Sequence, residues 1–259
     1  MGESPLSLDP EDARIAFFCD FENIALGVRE AQYKTFEIRK ILERIVESGK
    51  IVVKKAYADW ETYGKYKRAF HEEGIELIEI PRKAISGKNS ADIRMVVDAM
   101  DLSYAKEHIN CFAIVSGDSD FSPLVSKLKE NDKYVLGLGV KNSTSDLLVD
   151  NCDEFIYYDD IVRAPTARAV DSKIRSLAEK EQKAFGLVMG AIDALVRQDR
   201  EAIWGSMVKQ TIKRKHPQFN EQYFGYRSFS HLLRDAEKHK LLKLERDERS
   251  GGFLVMTLE

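Results

Sequence analysis

Short, unbroken apolar runs alternate with amphipathic stretches over roughly the first 160 residues. Ile15-Ala-Phe-Phe-Cys-Asp20 is continuous rather than alternating and ends in an acid. That is the pattern of a parallel strand buried on both faces. Phe21 to Ile24 reads as a turn, and Ile38, Ile41, Leu42 and Ile45 recur at helical spacing from Glu37 to Ser48, where Gly49 stops the helix. Ile51–Tyr57 predicts a second strand, 61–73 a polar, aromatic-studded helix, and Ile75–Ile80 a third strand closed by Pro81. After the basic loop Arg82–Asn89, Ser90 opens a helix whose apolar stripe reads as Ile93, Val96, Val97 and Met100. Cys111–Val115 is a fourth strand, followed by a helix to about Asn131. Tyr134–Gly139 is a fifth strand, Ser143–Val149 a short helix, and Glu154–Tyr158 a sixth, edge strand.

Strands and helices alternating at this spacing mean βαβ units, right-handed crossovers and a mostly parallel sheet covered on both faces. Ligands of such sheets sit outside the carboxyl ends of the strands, where the strand order reverses. If strands one and four are neighbours at that reversal, Asp20 converges with the acids that follow Val115.

The texture changes after about residue 162. Residues 163–183 are charged, with few apolar positions, and read as an exposed, partly helical linker. Phe185–Val196, Ser206–Lys215 and Phe229–His239 then form amphipathic helices, and Leu241–Arg246 and Phe253–Leu258 a hairpin about Ser250-Gly-Gly252. Three helices and a hairpin are the pattern of a small winged helix. The expected organisation is a tail at 1–12, an α/β domain at 13–162, the linker, and a winged-helix domain at 184–259.

Charge divides along the same line. Residues 1–164 hold 22 Lys/Arg against 30 Asp/Glu, a net of −8, and residues 165–259 hold 18 against 13, a net of +5. An acidic part joined to a basic part suggests a metal site and a polyanion grip. No apolar run reaches the length of a membrane span, and no secretory signal pattern opens the chain. The three cysteines, each in apolar sequence, point to reduced, buried thiols and a cytoplasmic location, with no Cys/His spacing that fits zinc.

Four aspartates stand out: Asp20 after the first strand, Asp92 in the first turn of a helix, and Asp118 with Asp120 after the fourth strand. Carboxylates crowded at one cleft repel one another unless a cation compensates them. Their hard oxygens suit Mg²⁺ or Mn²⁺, which can activate a bound water and neutralise charge growing on a phosphodiester. A single Asp at such a place has a plainer role as a helix cap. Asp98, six residues beyond Asp92 and so roughly 120° around the helix, is a weaker ligand candidate, a supporting group or a structural anchor. Lys88 is placed to meet a phosphate. Asn23 suits substrate or a metal-bound water, and Ser116 and Ser119 with nearby amides suit an anionic oxygen. Gly137-Leu-Gly139 lacks the third glycine of a phosphate-cradling loop, and the five histidines form no nucleophilic triad.

Phe18-Cys-Asp20-Phe-Glu-Asn23-Ile24, Lys88-Asn-Ser-Ala-Asp92 with Asp98 following, Val115-Ser-Gly-Asp118-Ser-Asp120-Phe121 and Cys152-Asp-Glu-Phe155-Ile156 together resemble the ordered motifs of NYN domains. These are PIN-like, LabA-related nuclease domains, and the likeness covers roughly residues 13–160. It implies a Rossmann-like fold in which Asp20, Asp92, Asp118 and Asp120 bind Mg²⁺ or Mn²⁺ and hydrolyse RNA. Tyr223-Phe-Gly-Tyr226-Arg227-Ser-Phe229, running on to Leu233 and preceded by His216-Pro-Gln-Phe219, is similar to the LOTUS (OST-HTH) domain. That likeness implies binding of RNA, single-stranded or structured, or docking of a protein partner. On physical grounds Lys209, Lys213, Arg214 and Lys215 on one helix, with Arg227, Tyr226 and nearby Tyr223, suit phosphate contact and base stacking.

The leading expectation is therefore a metal-dependent ribonuclease with an RNA-targeting appendage. Its alternative is a non-catalytic regulator whose second domain recruits a partner. A haloacid-dehalogenase-type phosphohydrolase also starts from an aspartate after strand one, but it needs a second aspartate two residues on, where this chain has Glu22.

Overall fold

The computed structural model describes residues 9–80, 90–162, 174, 177–198, 202–247 and 251–257. The chain divides into two compact units, Met1–Ala164 and Pro165–Glu259. In the first, β1 (Arg14–Asp20), β2 (Lys50–Ala58), β3 (Glu76–Glu79), β4 (Cys111–Val115), β5 (Tyr134–Gly139) and β6 (Glu154–Tyr157) form one sheet in the order β3-β2-β1-β4-β5-β6. Every pairing is parallel. The helices between them are α1 (Phe21–Glu30), α2 (Ile38–Ser48), α3 (Gly64–Glu72), α4 (Ser90–Ala105), α5 (Ser122–Glu130), α6 (Asp146–Asn151) and α7 (Tyr158–Val162).

The continuous apolar runs feed both sides of the sheet. Ile15, Phe17 and Cys19 pack into one core with Ile24 of α1 and Ile41 of α2, whereas Ala16 and Phe18 pack into the other with Met95 of α4 and Leu124 of α5. Strand residues alternate faces, so a strand inside a two-sided core has no position left for a polar side chain. Between Arg14 at its entry and Asp20 at its very end, β1 accommodates no polar side chain other than the Cys19 thiol.

Two sequence expectations need correction. The turn at Phe21–Ile24 is the start of α1, which begins directly after Asp20; Phe21, Ile24, Gly27 and Val28 are its buried positions. The α4 stripe is misplaced in part: Val96 and Met100 are half-buried against the core as expected, but Ile93 and Val97 are not. Helix α4 buries Ala91, Met95, Ala99 and Ser103, while Ile93 and Val97 are 63% and 56% exposed. Small side chains let the helix lie close on the sheet, and the larger aliphatics point away from it.

The second unit comprises α8 (Glu179–Val196), α9 (Gly205–Lys215), α10 (Phe229–Lys238) and the antiparallel hairpin of β7 (Leu242–Arg246) and β8 (Phe253–Thr257). Its core is drawn from Phe185, Val188 and Ile192 of α8, Val208 and Ile212 of α9, Leu232 and Leu233 of α10, and Val255 of the hairpin. Helix α8 starts at Glu179, so Glu179–Lys183, expected in the linker, form its first turns, and Ile174 is buried in this core as well. Among the described residues no helix is long and apolar enough to cross a membrane. Cys19 and Cys111 are buried, Cys152 is half-buried, and all three are free thiols.

Candidate metal centre and nucleic-acid surface

The strand order reverses between β1 and β4, and their carboxyl ends lie side by side, with Cys19 opposite Val115. Asp20 therefore faces the loop that leaves β4. Its Oδ2 accepts a hydrogen bond from Ser116 Oγ at 3.0 Å, and its Oδ1 caps α1 by accepting from the Asn23 amide at 3.3 Å. Ser116 Oγ in turn accepts from the Asp118 amide at 3.2 Å, and Asn23 Oδ1 accepts from the Gly117 amide at 2.8 Å. Asp118 Oδ1 caps the 3₁₀ turn Ser119–Phe121 by accepting from the Asp120 amide at 3.0 Å. The capping role and convergence thus coexist: one oxygen of Asp20 and one of Asp118 hold the backbone that brings the acids together.

The acids feel one another. Asp20 is 5% exposed, and burial, followed by the charge on Asp92, pushes its carboxyl up to about 7 despite the opposing hydrogen bonds from Asn23 and Ser116. Asp92 is pushed up to about 6 by burial and then by Asp118, Asp120 and Glu22. Among the described residues, the groups acting on these two carboxyls are acids and hydrogen-bond donors, not cations. A cluster of that kind concentrates negative charge, which a divalent ion relieves.

The donor set offers hard carboxylate oxygens with no imidazole or thiolate among them, which fits Mg²⁺ or Mn²⁺. It is also open, since no three of the four aspartates bring ligand atoms within 4.8 Å of one another. An ion that keeps several waters and uses one or two carboxylates suits that spacing. Among the described residues the trio that does meet the distance is Glu181, Asp235 and His239 in the second unit. There Glu181 Oε2 accepts from the Ala178 amide and Asp235 Oδ2 from the Tyr226 hydroxyl.

The profile of the NYN domain matches residues 14–159, more than half of the chain and the whole of this sheet. The chain belongs to the NYN family. The OST-HTH/LOTUS domain profile matches residues 167–251. An uncharacterised protein of Methanocaldococcus jannaschii is 31% identical over 120 residues, which are 46% of this chain and 47% of that protein, so the chain spans about half the length of this curated relative. A crystal structure of a protein of unknown function from Vibrio parahaemolyticus is similar at a TM-score of 0.52 and 27% identity, covering 60% of this chain and 97% of that one. NYN domains belong to the PIN-like nuclease superfamily.

The remaining candidates in the NYN domain separate clearly. Asn23 and Ser116 are structural partners of the acids, as described. Ser119 lines a cleft of about 700 Å³ beside Asp92 and Asp120, whose apolar wall includes Ile93, Val97 and Leu147. Lys88 lies outside the described residues. Asp98, the weaker ligand candidate, is an anchor instead: it accepts from the Tyr57 hydroxyl at 2.8 Å and pairs with Arg94 at 3.0 Å and Lys55 at 3.4 Å. Burial alone raises its carboxyl, but those three partners outweigh it and hold it below its usual range. Sequence reasoning missed Glu22 as part of the acidic field. It acts on both Asp20 and Asp92, while its Oε1 accepts from the Asp59 amide at 2.9 Å. Its position two residues after Asp20 is the signal the sequence offers; that it lies in the first turn of α1 emerges only from the fold.

In the LOTUS domain the expected grip is redistributed. Tyr226 is not a surface stacking group: its ring is 6% exposed, its hydroxyl donates to Asp235 Oδ2 at 3.0 Å, and it packs near Phe185. Lys209 is paired with Glu221 at 2.8 Å and lies 5.9 Å from the Phe229 ring centre. Lys213, Arg214 and Lys215 close the last turn of α9, where Lys213 is exposed and the other two are half-buried with contacts of their own. Arg227 is exposed.

Proposed function

We propose that this chain is a ribonuclease that hydrolyses phosphodiester bonds of RNA with Mg²⁺ or Mn²⁺ at the cleft of Asp20, Asp92, Asp118 and Asp120, one or two carboxylates touching an ion directly and the others reaching it through its waters, and that its LOTUS domain holds the RNA. The observation that carries the reading is the adjacency of β1 and β4 at the point of reversal. It makes one negative field of acids drawn from three separate stretches of chain. Membership of the NYN family supports a nuclease, and the LOTUS domain supports RNA as its polymer.

A divalent ion held by these carboxylates would supply, when bound, a water of lowered pKa and positive charge beside the scissile phosphodiester. The chain's own residues prepare the ground for it. Ser116 orients Asp20 and, through the Asp118 amide, sets the spacing of the two acids. Asn23 ties the β4 loop to α1, so both carboxylates are held by backbone as well as side chain. Asp92 and Asp120 border the cleft that admits substrate. The openness of the cluster favours one competing reading, a non-catalytic regulator that binds RNA without cutting it.

Incubation of purified protein with labelled single-stranded RNA separates the two. Cleavage that needs Mn²⁺, stops in chelator and falls at least about a hundredfold in Asp118→Asn supports the nuclease. RNA retention without cleavage, identical in wild type and Asp118→Asn, overturns it in favour of the regulator.

A further inference from the structure

Tyr223 is 70% exposed, yet its backbone is tightly fixed. It sits on the 3₁₀ turn Glu221–Phe224, capped by Asn220 Oδ1 on the Gln222 amide and ended by Gly225 at φ +92°. Its ring is braced edge-on by Phe224 at 5.2 Å. Lys180 of α8 places its Nζ 5.7 Å from the ring centre. Lys183 lies one turn further on, so the two lysines share a helix face. An isolated exposed aromatic is ordinary on a protein surface. This one is held rigid beside two cations, and its exposed neighbours Gln222 and Arg227 are also polar.

We propose that Tyr223, Lys180 and Lys183 form a stacking platform for an unpaired RNA base and its flanking phosphates. The assignment rests on the RNA-binding half of the proposed function and moves its contact surface. Of the two tyrosines expected to stack, Tyr226 lies in the core and Tyr223 at the surface, and Lys209, the first of the expected grip, is taken up by Glu221. A base laid on the free face of Tyr223 gains π contact, and its phosphates lie within reach of the lysine ammonium groups. Lys183 also pairs with Glu179 at 2.7 Å, but that pair is exposed, with side chains 64% and 81% accessible, and exposed pairs yield readily to a phosphate. A protein-docking face would set the ring among several exposed apolar side chains; here Phe224 is half-buried beneath it and the exposed residues beside it in the chain, Gln222 and Arg227, are polar. Because the turn is already closed by its caps, binding orders little further chain.

The test uses the full chain in chelator, so that no strand is cut, with a short unpaired RNA that carries fluorescein and a single 2-aminopurine. Tyr223→Ala is expected to weaken binding about tenfold and to abolish 2-aminopurine quenching, while Tyr223→Phe keeps both. Lys180→Gln with Lys183→Gln is expected to reduce the slope of log affinity against log salt by about 1.4. A wild type that binds RNA, with Tyr223→Ala binding equally well at the same salt slope, overturns the platform and leaves the face to another partner. A wild type that binds no RNA overturns the platform together with the RNA-binding reading beneath it. Equal melting temperatures for the variants and wild type exclude misfolding, as the 70% exposure of Tyr223 leads one to expect.

Discussion

Asp20 is held where a carboxylate is least comfortable, at the end of a strand inside a two-sided core. Its carboxyl is raised to about 7, against the ordinary 3.8, by burial and then by Asp92. The folded state therefore keeps a proton that the unfolded chain has released, so without metal this residue's contribution to stability is full below about pH 4 and is lost as pH rises towards 7. Denaturant melts in chelator are expected to show wild type losing, relative to Asp20→Asn, on the order of 4 kcal/mol across that window. A flat difference between the two would remove the buried, charge-coupled carboxyl from the account. Tyr226 makes a different kind of statement at the same scale. Its buried hydroxyl donates to Asp235, so Tyr226→Phe is expected to cost about 1 kcal/mol in stability and to leave RNA affinity unchanged. Thermal melts and anisotropy on the same preparation check both halves.

Among the elements, the loop after β4 carries most of the site, and Gly117 shows why it tolerates little change. A Cβ there meets the Ser143 carbonyl oxygen at 2.4 Å, and the Gly117 amide and carbonyl are bonded to Asn23 and to the Ser145 amide. Gly117→Ala has to push backbone against backbone. The expected result is a loss on the order of 1–3 kcal/mol with reduced Mn²⁺-dependent cleavage, read by denaturant titration and by RNA turnover. The central strands β1, β4 and β5 are legible in the amino-acid pattern, because a parallel strand buried on both faces is apolar along almost its whole length. Helix α1 is not: it follows Asp20 with no intervening loop, and Gly27 within it lowers the helical signal. The α4 stripe misleads for a related reason. Periodicity weighs Ile93 and Val97 above Ala91 and Ala99, whereas close packing on a sheet selects the alanines. The placement of Asp20 beside the loop that carries Asp118 and Asp120 depends on strand order, which spacing alone does not contain. Tyr226 and Tyr223 differ in neither residue type nor local composition, so only the fold separates the buried ring from the exposed one.

For the whole molecule the decisive feature is the division of charge, −8 over residues 1–164 and +5 over residues 165–259. An acidic NYN domain repels the polymer it is proposed to cut until a cation is bound, so capture falls to the basic unit. Covalent linkage then turns the second encounter into an intramolecular one and raises the local concentration of RNA at the acids without adding a contact there. Such a division should separate the kinetic constants. If the basic end of α9 meets phosphates, as proposed, reversing Lys213, Arg214 and Lys215 to Glu is expected to raise KM for a long RNA tenfold or more, with kcat within about twofold. On a substrate too short to engage the basic unit and the acids together, the variant and wild type should be indistinguishable. Steady-state kinetics on the two substrates in parallel, at low and moderate salt, provide the measurement. If kcat falls on both substrates, α9 supports the chemistry itself and the separation of capture from cleavage is wrong. If KM rises only on the long one, the tail of the chain works as a tether, and added salt should erase the difference by weakening wild-type capture.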